Sequence, residues 1–186
     1  MYRYFFIIFF LISCSLPRQA SLDEMLRVKR LVEEARVKMN IGEIDQAESL
    51  VRLAEEVSAN DPLVVDALGC LSWHRKDYDL AESYFRKAIF LDPRFENSYL
   101  NLAIVMEQKG EIAQAKSLLQ KVLQINPFNH KARNNYAGII FDYAISARDK
   151  EFARRELSKA INSAPEMDRV LKYNIDKFNR SRARIN

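Results

Sequence analysis

Apolar side chains recur along the chain at spacings of three and four residues, in blocks that end at a proline. The two most regular blocks are Ala81, Phe85 and Ala88 with Pro93, and Ala115, Leu119 and Val122 with Pro127, and one constant offset relates them at every position. Spacings of three and four place side chains on one face of a helix, and a proline cannot continue that helix. The pattern therefore predicts repeated helices that turn their apolar faces towards a common core.

Two outer blocks keep this internal spacing but depart from the constant offset, the first only at its proline, which lies three residues later than expected, and the second at every position. They are Ala47, Val51 and Ala54 with Pro62, and Ala153, Leu157 and Ala160 with Pro165. The interval from Pro127 to Pro165 is longer than the interval from Pro93 to Pro127, which indicates that four residues are inserted in the last unit. Turns between paired helices are expected at Gly42, at Gly110, at Asp77-Tyr78 and at Glu151-Phe152.

A second apolar pattern precedes each block. Val65, Leu68 and Gly69 precede Ala81 in the way that Tyr99, Leu102 and Ala103 precede Ala115. A two-helix unit with these positions and a period of about 34 residues resembles the tetratricopeptide repeat. The resemblance implies an all-α fold, a right-handed α-solenoid of about four helix–turn–helix repeats with a C-terminal capping helix. The expected boundaries are 28–61, 62–95, 96–129 and 130–165 for the repeats, 166–180 for the cap, 21–180 for the domain and 181–186 for a basic tail.

The first fourteen residues, MYRYFFIIFFLISC, differ from the rest of the chain. Arg3 is their only charge, and the segment from Tyr4 to Ile12 is an uninterrupted apolar run. A helix needs about 20 residues to cross a bilayer, so this run is too short for an ordinary membrane anchor and has the layout of a secretory signal.

The end of that segment, Leu11-Ile12-Ser13-Cys14, resembles the bacterial lipobox. In lipoproteins a peptidase cuts before the cysteine, and the cysteine is acylated with chains such as palmitate. The resemblance implies a signal peptide over residues 1–13, lipidation at Cys14 and a tether over residues 14–20. The alternatives are an ordinary cleaved signal with an incidental cysteine, and a cytosolic protein with an apolar N-terminus.

Composition and motifs argue against catalysis. His74 and His130 are the only histidines, and neither has a cysteine or carboxylate at metal-ligand spacing. No phosphate-binding loop, zinc-protease motif or nucleophile elbow occurs. The net charge of +4 is mild, and no stacking aromatics accompany the basic tail, which argues against a nucleic-acid partner. We therefore expect a protein that is not an enzyme, with no metal, no cofactor and no small-molecule substrate.

In tetratricopeptide proteins, the first helix of each repeat lines a concave groove that holds an extended peptide or a partner helix. Carried over to this chain, the groove positions include Trp73, Asn97, Asn101, Lys131, Asn134 and Asn135. Asn101 and Asn135 resemble asparagines that grip a peptide backbone, since an amide both donates and accepts. Lys131 would neutralise a carboxylate. The alternatives are hydrogen bonds of the two asparagines between neighbouring helices, and a core-filling role for Trp73.

Signal, lipobox and repeats together predict a lipid-anchored scaffold that holds another envelope protein or peptide in a bacterial envelope. In lipoproteins an aspartate directly after the acylated cysteine retains the protein in the inner membrane. Because Ser15 stands at that position, the resemblance implies the outer membrane, facing the periplasm. The combination resembles the type IV pilus lipoproteins that act as pilotins, and Asn134-Asn135-Tyr136-Ala137 is similar to a stretch in that group. The alternatives are a peptide-binding module in outer-membrane assembly, secretion or wall remodelling, and a cytosolic co-chaperone or enzyme.

Overall fold

The computed structural model describes residues 21–163, 173–177 and 179. Within these ranges the chain forms α-helices joined by short turns, and no strand occurs there. The helices are α1 (Leu22–Asn40), α2 (Ile44–Ser58), α3 (Pro62–His74), α4 (Tyr78–Leu91), α5 (Glu96–Gln108), α6 (Ile112–Ile125), α7 (His130–Asp142) and α8 (Ala147–Ser163). Consecutive helices pair into four hairpins, and each hairpin packs on the next. The predicted all-α solenoid is confirmed.

Local capping chemistry sets where helices begin. Ser21 Oγ accepts a hydrogen bond from the Glu24 backbone N–H, and the Glu24 carboxylate accepts one from the Ser21 N–H, which closes a capping box at the start of α1. Asp61 caps α3 by accepting from the Leu63 N–H at 2.8 Å. Pro62 is the first residue of α3. It therefore starts a helix rather than ending α2, because a missing N–H costs nothing at that position.

The three-residue turns inside the first three hairpins contain a residue with left-handed backbone. Gly42 has a φ of +84° and Gly110 a φ of +80°. Lys76, which lies one repeat period from each of them, has a φ of 63°. A Cβ crowds the following carbonyl in this conformation. Lys76 is thus the strained member of an otherwise glycine position.

The two helices of the second hairpin approach closely at Gly69. A Cβ added there would lie 2.5 Å from Cε1 of Phe85, so the Phe85 ring rests directly on the α3 backbone. In the third hairpin the equivalent pair is Ala103 and Leu119, and both side chains are buried. In both hairpins a smaller residue on the first helix faces a larger one on the second. The difference in size between the two side chains is smaller in the third hairpin.

The residues inserted in the last unit lengthen α8 more than the turn before it. Ala153 lies six residues after the start of α8, whereas Ala115 lies three after the start of α6. Glu151 and Phe152 consequently lie inside α8. The expected turn at these two residues is wrong, because most of the insertion adds helix rather than loop.

A further helical segment, residues 173–177, packs on the last hairpin. Ile175 contacts the apolar cluster that contains Ala137, Ala153 and Leu157. The segment falls within the predicted cap over 166–180; residues 164–172 and the predicted tail at 181–186 lie outside the described residues, as do the predicted signal and Cys14. Among the helices of the described part, none is both long enough and apolar enough to span a bilayer.

Candidate partner-binding groove

The first helices of the four hairpins, α1, α3, α5 and α7, line an open depression of about 350 Å³. Arg36 lies on the α1 side and Lys131 on the α7 side. Asn97, Asn101 and Asn135 lie among the residues between them. We call this depression the groove. Its lining combines amides and cations with apolar side chains such as Leu100 and Ile104, a mixture that suits a peptide.

A buried carboxylate is hydrogen-bonded to two of the residues that line the groove, Arg36 and Asn101. The Asp66 side chain has no exposed surface, and it accepts a hydrogen bond from Arg36 Nη2 at 3.0 Å. Ser98 Oγ donates to it at 2.7 Å, and Asn101 Nδ2 lies 3.1 and 3.3 Å from its two oxygens. Side chains from α1, α3 and α5 therefore meet at one carboxylate, and we call Arg36, Asp66, Ser98 and Asn101 the Asp66 cluster.

Burial dominates the electrostatics at this point. Desolvation raises the pKa of the Asp66 carboxyl, against the lowering effects of the Ser98 hydrogen bond and the Arg36 charge. Burial and the nearby Asp66 charge also raise the pKa of the Cys70 thiol, whose Sγ lies 4.0 Å from Asp66. The nucleophilic thiolate is thus disfavoured at neutral pH, and Cys70 acts as a packing residue.

The predicted groove asparagines differ in their surroundings. Asn101 hydrogen-bonds between neighbouring helices, one of the two roles considered for it, and its Nδ2 also lies 3.5 Å from Cys70 Sγ. Asn135 forms no side-chain hydrogen bond with any residue that the structure describes. Its amide is available to donate and accept. Asn97 and Lys131 are exposed in the same groove.

Asn134 is enclosed by the C-terminal segment. It is only 1% exposed, and Asn174 Nδ2 donates to its Oδ1 at 3.0 Å. One turn further on, a Cβ at Gly138 would lie 3.1 Å from Asn174 Nδ2, and Lys177 forms an ion pair with Asp142. The C-terminal segment therefore covers this face of α7, and the Asn134 side chain is hydrogen-bonded inside the fold.

Trp73 lies at the edge of the groove. It is 36% exposed, and its indole packs edge-on against His74 with 5.1 Å between ring centroids. A smaller cavity of about 160 Å³ lies beside these rings and is also lined by Phe85 and Ile104. Burial lowers the pKa of His74, so its imidazole is neutral at neutral pH. Trp73 thus borders an apolar pocket next to the groove.

The link between Arg36 and Asp66 was not foreseen from the sequence. The two residues are 30 positions apart and lie in different repeats. The available signal was an aspartate within PLVVDALGCLSW, an otherwise mostly apolar helix, because a buried carboxylate needs a partner. In the described ranges, no group of histidine, cysteine and carboxylate side chains is arranged to hold a metal.

Sequence comparison matches the middle of the chain to a known repeat. The family model of the tetratricopeptide repeat matches residues 73–139. The protein ycf37 of Cyanophora paradoxa is 34% identical over 71 residues, which are 38% of this chain and 41% of that protein. Tetratricopeptide repeat protein 7B of Homo sapiens is 22% identical over 130 residues, 69% of this chain and 15% of that protein. The chain therefore spans less than half the length of these curated relatives.

Solved structures share the architecture. An O-GlcNAc transferase of Thermobaculum terrenum superposes with a TM-score of 0.65 at 20% identity, over 76% of this chain and 27% of that one. MamA gives a TM-score of 0.57 at 18% identity, over 73% and 77% of the two chains. The first repeat domain of Spaghetti (RPAP3) with a bound HSP90 peptide gives 0.53 at 19% identity, over 61% and 90%. At these identities, the likeness shows the fold alone.

Proposed function

The chain has the fold of the tetratricopeptide-repeat proteins, and on that premise we propose that it is a scaffold that binds a segment of a partner protein in its groove. The observation that carries this proposal is the groove lining itself. Four helices from four successive repeats contribute to one open depression, in which amide and cationic side chains are accessible. Such a surface is suited to binding a polypeptide segment rather than to catalysing a reaction.

The lining favours an extended peptide with an acidic group. The Asn135 amide supplies the donor and the acceptor that a peptide unit needs, and Lys131 lies one helical turn before it on α7. Arg36 is already paired with Asp66, so it contributes less charge to a ligand. We expect the bound segment to cross α5 and α7 and to place a carboxylate at Lys131. The RPAP3 domain, which holds an HSP90 peptide on the same fold, supports this mode of binding.

We further propose that the scaffold is lipid-anchored in the bacterial envelope and serves the assembly of a pilus or secretion system. The support is the lipobox-like segment that ends at Cys14, directly after a short apolar run. Acyl chains contribute about 0.8 kcal/mol per buried CH₂, so two or three together hold a protein on a membrane. Outer-membrane assembly and wall remodelling are the alternative processes for the same anchored scaffold.

Site-specific photo-crosslinking in cells tests the groove. A benzophenone amino acid at Asn97, which is exposed in the groove and leaves Asn135 and Lys131 in place, is expected to give one dominant adduct, and Lys131→Glu is expected to abolish it. Lys121 is also exposed, but it lies on α6 outside the groove, so Lys121→Glu is the matched control and should leave the adduct intact. A benzophenone at Lys121 should give no such adduct. Equal adducts from both positions, or an adduct indifferent to Lys131→Glu, would refute groove binding.

Intact mass and palmitate labelling test the anchor. The native protein should lack residues 1–13 and carry acyl chains, and Cys14→Ser should remove both the processing and the label. An unprocessed and unlabelled chain would refute the anchored location. It would leave the groove experiment unaffected, so the two proposals fail separately.

A further inference from the structure

The outer side of α1 carries a stripe of exposed residues opposite the buried side of the helix. Leu22, Leu26 and Val37 on α1, and Ile41 just after it, are 70%, 51%, 54% and 61% exposed. Four charged residues lie between them on the same side: Lys29, Arg30, Glu33 and Glu34. We call these eight residues the α1 stripe. Isolated exposed apolar residues are ordinary, but two exposed apolar pairs that flank a charged centre on one side of a helix need an explanation.

The stripe lies on the first hairpin of the described part of the chain. Leu71, Val105 and Ile139, which follow Val37 at intervals of one repeat period, are all buried. They belong to α3, α5 and α7, each of which packs against the second helix of the hairpin before it. No hairpin precedes α1 in the described part of the chain. Val37 is therefore exposed on a surface that, in the later repeats, packs against the preceding hairpin.

The order of residues in the stripe is symmetric about its middle. Leu22 and Ile41 are equidistant from the point between Leu31 and Val32, as are Leu26 and Val37. Lys29 is related in the same way to Glu34, and Arg30 to Glu33. A second α1 laid antiparallel across that point would therefore match apolar residues with apolar residues and cations with carboxylates. A parallel arrangement would set like charges against each other.

We infer that the α1 stripe is a homodimerisation surface, and that its occupant is the α1 stripe of a second copy in antiparallel orientation. A two-fold axis through the midpoint makes the surface self-complementary, as an isologous contact requires. The axis gives four apolar contacts and four ion pairs along a helix about 28 Å long. Because one helix from each copy forms the contact, the dimer is expected to be reversible.

The same charges also permit pairing within one helix. Lys29 and Glu33 are four residues apart, as are Arg30 and Glu34. Glu33 also forms an ion pair with Arg36, with 3.9 Å between Glu33 Oε2 and Arg36 Nη1. Such pairs stabilise a solvated helix by a few tenths of a kcal/mol each and require no partner. The experiment must therefore separate pairing within a helix from pairing between copies.

A charge exchange between two variants makes that separation. The first variant carries Lys29→Glu with Arg30→Glu, and the second carries Glu33→Lys with Glu34→Lys. The wild-type full chain, purified in a non-ionic detergent, should change from one copy to two with rising concentration when its protein mass is measured by light scattering. Each variant alone should need at least a tenfold higher concentration to dimerise. An equimolar mixture should dimerise as the wild type does, although neither variant regains its intrahelical pairs.

Several results would overturn the inference. One is a wild-type chain that stays monomeric at every concentration; another is a variant that dimerises as the wild type does. A mixture that stays monomeric although circular dichroism shows both variants folded would do the same. A monomeric chain whose stripe variants lose binding to lipid vesicles would assign the stripe to a membrane instead.

Disulfide cross-linking checks the orientation without altering charge. In a Cys14→Ser background, copies with Leu26→Cys mixed with copies with Val37→Cys should form a linked dimer under mild oxidation. Either copy alone should not, because the two substituted positions would then be about 16 Å apart along the helices, beyond the reach of a disulfide. Efficient linkage of Leu26→Cys copies to one another would refute the antiparallel arrangement.

Discussion

Single positions in this chain can be compared with their equivalents one repeat away. Lys76 occupies a left-handed turn position that is glycine in the hairpins on either side. Gly69 and Phe85 form a contact that Ala103 and Leu119 form in the next hairpin. These internal comparisons predict the effect of a substitution, because the molecule already contains both versions of each site.

Lys76→Gly is expected to stabilise the protein. Removing the Cβ relieves a left-handed backbone that costs roughly 1–2 kcal/mol, while glycine loses more backbone entropy on folding, so the expected net gain is about 0.5–1 kcal/mol. Urea unfolding followed by circular dichroism measures it. The reciprocal substitution, Gly110→Lys, should destabilise. Equal stability of all three proteins would show that the turn carries no strain.

Gly69→Ala is expected to destabilise the protein by about 1–3 kcal/mol, although alanine is the better helix former. The reason is the 2.5 Å approach of the new Cβ to the Phe85 ring. Combining Gly69→Ala with Phe85→Leu reproduces the pair found in the third hairpin and should recover part of the loss. A double variant as unstable as the sum of the two single variants would contradict this account.

Asp66→Asn is expected to change how stability depends on pH. The folded-state pKa of Asp66 is raised above its unfolded value of about 3.9, so in this window the folded chain binds more protons. The contribution of Asp66 to stability is therefore highest at acidic pH and declines as pH rises through the raised pKa. As the pH is raised from 4 to 7, urea unfolding should show the free energy of unfolding of the variant increasing relative to that of the wild type. A relative decrease would mean that the Asp66 cluster lowers this pKa.

At the scale of elements, the C-terminal segment shows how one residue docks a helix. Asn174 is buried and donates to both the side chain and the backbone carbonyl of Asn134 on α7, at 3.0 and 3.4 Å. Asn179, which lies two residues after the segment, is exposed. The two asparagines share their chemistry and differ in burial, so they form a matched pair for substitution.

Asn174→Ala is expected to loosen the C-terminal segment, with a loss of about 1–3 kcal/mol because it leaves the buried Asn134 amide without its partner. Hydrogen exchange at α7 should rise in this variant and stay unchanged in Asn179→Ala. If both variants exchange alike, Asn174 does not hold the segment in place.

The same elements show what the sequence was able to predict. The faces of α4 and α6 were predictable because three- and four-residue spacings fix which side chains share a helix face, and Ala81, Phe85, Ala115 and Leu119 are indeed buried. The start of α8 was not, because an insertion can lengthen either a turn or a helix without changing the period. The contact of Asn134 with Asn174 joins residues 40 positions apart, and no local pattern specifies it.

For the molecule as a whole, stability is divided among neighbouring units. Helix contacts connect each hairpin to the next, and in the described part of the chain the four hairpins do not share a single hydrophobic core. In such arrays the stability is close to a sum of unit and interface contributions. A perturbation at one end should therefore fade along the chain.

Deletion of residues 164–186 is expected to raise hydrogen exchange in α7 and α8 most strongly and to leave α1–α4 close to the full-length protein. Exchange measured helix by helix is the test, with the full chain as reference. A uniform rise across all eight helices would show that the described part of the chain unfolds as a single cooperative unit instead.

The shared carboxylate at Asp66 has a mechanical consequence. It is hydrogen-bonded to Arg36 of the first hairpin and to Asn101 of the third, so it joins three successive hairpins at a single buried point next to the groove. Bending the array open there would separate a buried charge from its partners, which is costly. The array should therefore resist bending at this point. A bound partner would then meet a groove whose curvature stays the same, rather than one that changes shape with each partner.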